Sequence, residues 1–311
     1  MKKLLIFVTV LLLTISVIFI LKKENRNFNF SYYFWENNYN LEQDTNDKLY
    51  IKALDIKYSN KLEIIETNFI KSAPKDFIPV VFITNKTLQN LDYKVISDQI
   101  INLVKKFNFN EIQIDCDWSD STKNNYFLLL KELKNNLNKN ISATIRLHQI
   151  KYFNKTGVPP VDYGVLMYYN MSSLGDFNTK NYILDNNEAK KYHYNFENYP
   201  LKLKLALPLY SQAVQFRDKK AINLFENVEQ IDFNEEFEKL DKNKYKVLKS
   251  HYFKGKYIYE GDILRFENVN EKELKIAFDD FFELSKNSFD EVIFYTIKYK
   301  TKYDLENLLK N

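Results

Sequence analysis

Glycine and proline are scarce in this sequence, at five and six among 311 residues. That scarcity excludes a collagen-like repeat and a flexible linker chain, and it leaves no glycine-rich turn to cradle a dinucleotide or a phosphate. A single cysteine, Cys116, rules out an intramolecular disulfide and a thiolate metal cluster, and leaves the redox compartment open. The three histidines, His148, His193 and His251, are too scattered for a histidine-rich metal site, although an aspartate-only cation site stays open. No cofactor is expected. A basic body is missing too: the net charge of +4 is accounted for by Lys2, Lys3, Lys22 and Lys23, which leaves residues 24–311 neutral. A neutral body offers no basic face to a nucleic-acid backbone, so no nucleic-acid partner is expected.

What is present is apolar and aromatic: 45% apolar residues, with 23 Tyr and 25 Phe, against 28% charged. A chain of this length and composition buries a sizeable core and is not disordered. Residues 4–21 form an uncharged run that, at about 1.5 Å per helical residue, nearly covers a hydrocarbon core of roughly 30 Å. No small-x-small cleavage pattern follows it, and Lys22 and Lys23 close it, so residues 1–23 read as a signal anchor or transmembrane segment rather than a cleaved signal peptide. A short Lys-bearing head before one apolar segment implies a single-pass membrane protein, anchored in the lipid bilayer, with its large domain on the extracytoplasmic side. Residues 24–29 make a polar tether, and residues 30–311 the body.

Eight runs in the body have the aromatic and β-branched content of strands: 28–36, 48–58, 76–84, 111–118, 140–148, 163–169, 201–210 and 290–299. Between them, 91–108 carries Val95, Ile96, Ile100, Leu103, Val104 and Phe107 at helical spacing. A second helix is expected over 121–139 behind a Ser or Thr cap, and a helical stretch over 186–196. Eight strands with helices between most of them predict an α/β fold, a (β/α)8 TIM-like barrel, with an elaboration at about 211–289 between strands 7 and 8. The helical signal between the first three strands is weak. An open doubly wound sheet is the alternative, disfavoured by the missing glycine-rich turn. Within the elaboration, 257–269 reads as a hairpin or two short strands.

Strand alternation gathers polar groups at neighbouring strand ends. Asp115 and Asp117 fall on one side of the fourth strand, about 7 Å apart, close enough to raise the pKa of at least one, as a general acid requires. Thr144, Arg146 and His148 share a side of the fifth strand, and Met167 and Tyr169 share a side of the sixth, opposite Tyr168 and Asn170. Trp35, Glu36, Asp55, Trp118 and Tyr210 sit at other predicted strand ends. Aromatic rings beside carboxylates suit a sugar, whose C–H faces need an apolar platform and whose hydroxyls need hydrogen-bond partners. The same groups would equally form an internal ion network and a packed barrel core.

IQIDCDWS at 112–119 and LMYYN at 166–170 resemble two diagnostic strands of the chitinase-like barrel superfamily. There the fourth strand ends in a spaced Asp, Asp, Glu series and the sixth in Met, Tyr, Asp. The resemblance aligns Asp115 and Asp117 with the two carboxylates before the acid, and Met167 and Tyr169 with the inward pair. Ser119 stands where the acid is expected, and Asn170 where the last Asp is expected. Serine is no proton donor to a glycosidic oxygen at neutral pH, which puts ordinary chitin hydrolysis in question. Residues 111–217 more closely resemble an uncharacterised bacterial family of secreted or membrane-attached glycosidase-like TIM-barrel proteins.

The functional expectation is a carbohydrate-active barrel that hydrolyses a glycosidic bond in an envelope or extracellular glycan. Asp115 or Asp117 would be the general acid, with Tyr169 beside it. Trp35, Glu36, Asp55, Trp118, Arg146, His148, Asn170 and Tyr210 would contact the carbohydrate ligand. The alternatives are a noncatalytic glycan-binding module and an envelope protein that contacts another protein.

Overall fold

The structure, a computed structural model, describes residues 27–41 and 47–309. The apolar run 4–21 and residues 24–26 of the tether lie outside them; among the described residues no helix is long and apolar enough to cross a membrane. Eight strands form the frame: β1 (Asn29–Phe34), β2 (Lys48–Tyr58), β3 (Ile78–Ile83), β4 (Glu111–Asp115), β5 (Asn140–Arg146), β6 (Tyr163–Met167), β7 (Leu203–Pro208) and β8 (Ser288–Tyr295). Each pairs in parallel with its neighbour in the chain, and β8 pairs back onto β1 with Ser31 opposite Ile293. The sheet is therefore a closed barrel, which excludes the doubly wound alternative.

Period-two alternation sorts the side chains. In β4, Ile112 and Ile114 join the layer beneath the helices. Gln113 points into the lumen, where its Oε1 accepts from the Tyr33 hydroxyl at 2.7 Å. The outer layer is covered by α1 (Tyr93–Val104), α2 (Lys123–Leu137) and α3 (Glu271–Leu284). In α1 the residues Ile96, Ile100 and Val104 recur every four positions and are buried, and Asp92 caps the first turn by accepting from the Lys94 amide at 2.9 Å. Thr122 precedes α2 but does not cap it with its side chain; its hydroxyl instead donates to Asn85 at 2.5 Å and accepts from the Ser119 amide at 3.0 Å. The stretch 186–196 is only a short helix, Asn186–Lys190, with a 3-10 turn at Phe196–Asn198.

No helix covers the connections β1–β2 and β2–β3 among the described residues. Strand Leu62–Glu66 pairs antiparallel with the far end of β2, and Asn38–Tyr39 pairs with Asn68–Phe69. Leu62 and Ile64 are half-buried while Glu63 is exposed, a period of two that cannot make a helical stripe.

The floor of the lumen is ionic. Lys204 is buried there, 3.0 Å from Glu291, and donates to the Tyr50 and Tyr163 hydroxyls at 2.9 Å each. Burial would raise the Glu291 carboxyl, but Lys204 and Lys48 hold it below its ordinary value. Above this layer Val80, Val165, Ala206 and Ile293 fill the middle.

The elaboration holds more strands than the sequence pattern indicated. Strands Gln212–Arg217, Lys220–Glu226, Phe237–Lys239, Lys244–Val247 and Ile263–Glu267 form an antiparallel sheet. The sheet has its own core, including Ala213, Phe225, Tyr245 and Leu264. The segment 257–269 splits between a hairpin strand, Lys256–Ile258, and the inner strand Ile263–Glu267. Arg265 ties this sheet to the barrel. Fully buried, it donates to Glu267 at 2.8 Å and to the carbonyls of Leu174 and Asp176, while Glu267 accepts from the Tyr182 amide at 3.0 Å. The β6–β7 loop is thereby clamped beside the barrel mouth.

Removing one partner of a buried charged pair leaves the other uncompensated. Arg265→Ala should cost about 3–5 kcal/mol of stability, read from urea unfolding; a loss below about 1 kcal/mol would mean that the pair contributes little to the clamp.

Candidate functional site

Beyond the C-terminal ends of the strands lies a cleft of about 370 Å³. That is the end where barrel enzymes carry their sites. Trp35, Tyr33, Tyr169, Tyr210, Tyr295 and Tyr299 give it aromatic walls. Tyr295, from the end of β8, is the hub. Its ring stacks on Tyr169 at 5.7 Å and meets Trp35 at 5.7 Å and Tyr210 at 5.6 Å. Burial pushes the Tyr33, Tyr169, Tyr210 and Tyr295 hydroxyls up, so they stay protonated.

Asp115 lies at the floor of this cleft, 7% exposed, at the last residue of β4. Its Oδ1 accepts from the Thr144 hydroxyl at 2.7 Å. Its Oδ2 has no hydrogen-bond partner among the described residues and is not sealed from the cleft. Burial pushes the carboxyl up to about 6, and the Asp117 charge adds to this; the Thr144 bond and Arg146 pull it partly back.

Strand geometry ends sooner than the sequence pattern implies. β4 stops at Asp115, so Asp117 does not continue the lumenal row. It stands outside, more than half exposed, and receives both Nε and Nη2 of Arg146 at 2.8 Å. β5 likewise stops at Arg146, and His148 lies in a short helix, Leu147–Lys151. Burial and the neighbouring guanidinium lower the His148 pKa. β6 ends at Met167. Asn170, with φ of 55°, turns back to line the cleft and accepts from the Tyr210 hydroxyl at 2.5 Å. Tyr168 instead is buried against His193, with 2.7 Å between its hydroxyl and Nε2.

Of the residues singled out from sequence, Trp35, Glu36, Asp115, Tyr169, Asn170 and Tyr210 line the cleft. Asp117, Trp118, Arg146 and His148 line an adjoining recess of about 310 Å³ that shares Met167, Tyr169 and Asn170 with it. Trp118 itself is mostly covered, stacked on Tyr126 at 5.2 Å and donating to the Thr156 carbonyl at 3.2 Å. Asp55 lines neither; it is buried between Lys52 and Lys57, each at 3.3 Å. Ser119 faces a third hollow and shares hydrogen bonds with Ser121 and Thr122. Sequence reading missed Tyr33, Glu226, Tyr295 and Tyr299 on the cleft wall. Tyr295 and Tyr33 alternate correctly within their strands and could have been found by that signal; Glu226 comes from the inserted sheet and could not. No group of acidic, His or Cys side chains among the described residues could hold a metal ion.

The fold is shared with known barrels. The Bacillus cereus spore cortex-lytic enzyme SleL superposes with a TM-score of 0.56 at 11% identity, covering 93% of this chain and 75% of that one. A chitinase from Chromobacterium violaceum gives 0.51 at 9% identity, covering 88% and 95%. No protein-family model matches the chain, and neither does any curated protein. At such identities the likeness is one of architecture: the closed (β/α)8 barrel that this chain shares with those two structures.

The folded Asp115 carboxyl holds its proton more tightly than an unfolded one, so the native state binds more protons between about pH 4 and 6, and stability falls as pH rises through that window. Asp115→Asn removes this penalty. Between about pH 4 and pH 8, its unfolding free energy should gain on the order of 3 kcal/mol relative to the parent chain. A difference that does not change with pH would refute the raised pKa.

Proposed function

We propose that this is a carbohydrate-active barrel protein that seats a saccharide in the aromatic cleft, with Asp115 as proton donor to a glycosidic oxygen. One observation carries the reading: a carboxyl raised to about 6, with one oxygen unpartnered, at the floor of an aromatic cleft. A group with that pKa keeps a useful protonated fraction near neutral pH and can hand its proton to the leaving oxygen as the C–O bond breaks. Thr144, donating to Oδ1, leaves Oδ2 to face the substrate. The Tyr169 hydroxyl, protonated and without a protein partner among the described residues, is suited to donating to a sugar oxygen. Trp35 and Tyr295 supply the apolar platform.

Specific observations also favour a second reading, a noncatalytic glycan-binding protein. Ser119 occupies the position of the expected acid and faces away from the cleft, and Asp117 is engaged with Arg146. The lysine-flanked apolar run at 4–21 supports placing either form at a membrane, with its barrel towards envelope or extracellular glycans.

Calorimetry and product analysis with the full chain separate the two. Under the catalytic reading Asp115→Asn lowers turnover by about 10²–10⁴-fold while leaving affinity within a few-fold, and Trp35→Ala weakens binding about tenfold. Saccharide binding without turnover in the parent chain would establish the second reading. Binding unaffected by Trp35→Ala and Tyr169→Phe would remove the cleft from both.

A further inference from the structure

The charges around the cleft do not balance. Lys298 is taken by Glu36 at 3.1 Å, and Arg146 is taken by Asp117 through two bonds of 2.8 Å. Lys52, whose ammonium lies 5.7 Å from the Trp35 ring centre, is held by Asp55 at 3.3 Å and by Asn37 at 2.8 Å. Glu226 has no ion pair or hydrogen bond among the described residues, yet it lines the same cleft. It is the last residue of the inserted strand Lys220–Glu226 and projects beside Tyr295 and Tyr299, whose hydroxyls its charge pushes up further. Asp115, more than nine-tenths buried and unpartnered at Oδ2, faces the same space. The cleft thus joins at least four aromatic rings to a carboxylate without a counter-ion.

Such a combination is what an ammonium group recognises. Aromatic faces carry negative quadrupole potential, and a carboxylate beside them adds a full charge. A neutral N-acetylated ring would gain hydrogen bonds but no charge attraction from Glu226, and an anionic sugar would be repelled. We propose that the cleft is selective for a saccharide bearing a free, positively charged amino group, held by Glu226 against the ring of Tyr295. The inference rests on the reading of the cleft as a saccharide site, but it holds for a catalytic or a noncatalytic protein.

The test is calorimetry on the full chain at about pH 6, with a glucosamine oligomer, its N-acetylated counterpart of equal length, and choline as a sugar-free ammonium probe. The glucosamine oligomer should bind at least about tenfold tighter than the acetylated one, by a margin that shrinks with added salt. Glu226→Gln should abolish that margin by weakening the glucosamine oligomer more than the acetylated one; Glu226 is exposed, so the variant folds without a buried change. Equal or tighter binding of the acetylated oligomer, or a margin that survives in Glu226→Gln, overturns the inference and leaves the saccharide reading standing. Choline binding that depends on Glu226, with no saccharide bound, supports the ammonium site and overturns the saccharide reading. Binding of none of the three overturns both.

Discussion

Closing eight parallel strands into a ring forces every second side chain into one narrow lumen, and the site depends on how that lumen is filled. Its floor is an ion network around Lys204, its middle is aliphatic, and its mouth is aromatic. Asp115 is where the polar row of β4 reaches the mouth. One residue earlier it would be sealed among helices with Ile114; two residues later it would stand in solvent like Asp117. Its raised pKa follows from that position and from the like charge of Asp117 beside it.

The inserted sheet does more than extend the molecule. It brings Gln212, Leu224 and Glu226 to the cleft wall, and through Arg265 it fixes the loop that contributes Leu174 and Tyr182. A buried Arg–Glu pair is a poor source of net stability, but its bonds to two carbonyls and an amide set one position of the loop against the sheet. The cleft is therefore built by two units, a barrel that supplies Asp115 and most of the rings, and a sheet that supplies an unpaired carboxylate.

The likeness to SleL and to the chitinase extends over most of the chain, yet identities near one in ten tie it to architecture alone. Ser119 cannot replace a carboxylic acid, and it faces a separate hollow; Asp115 is the buried carboxyl that meets the aromatic cleft, which Glu36 and Glu226 also line.

Composition and periodicity determined the strand count, their order, the strand sides that carry Asp115 and Thr144, and the position of the insertion, because a strand's two faces meet different solvents and the alternation is written in consecutive residues. The same rule overran the strand ends: it carried Asp117 and His148 into the lumen, where strand geometry had already given way to loop and helix. The hairpin at Asp218 and Lys219, both with positive φ, has none of the glycine that usually marks such a turn, so the inserted sheet was only partly legible. Only the tertiary structure decided which carboxylate is buried, which is paired with Arg146, and that Glu226, far along the chain, lines the same cleft as Asp115. Those outcomes depend on desolvation and on distances between residues remote in sequence, which no local pattern records.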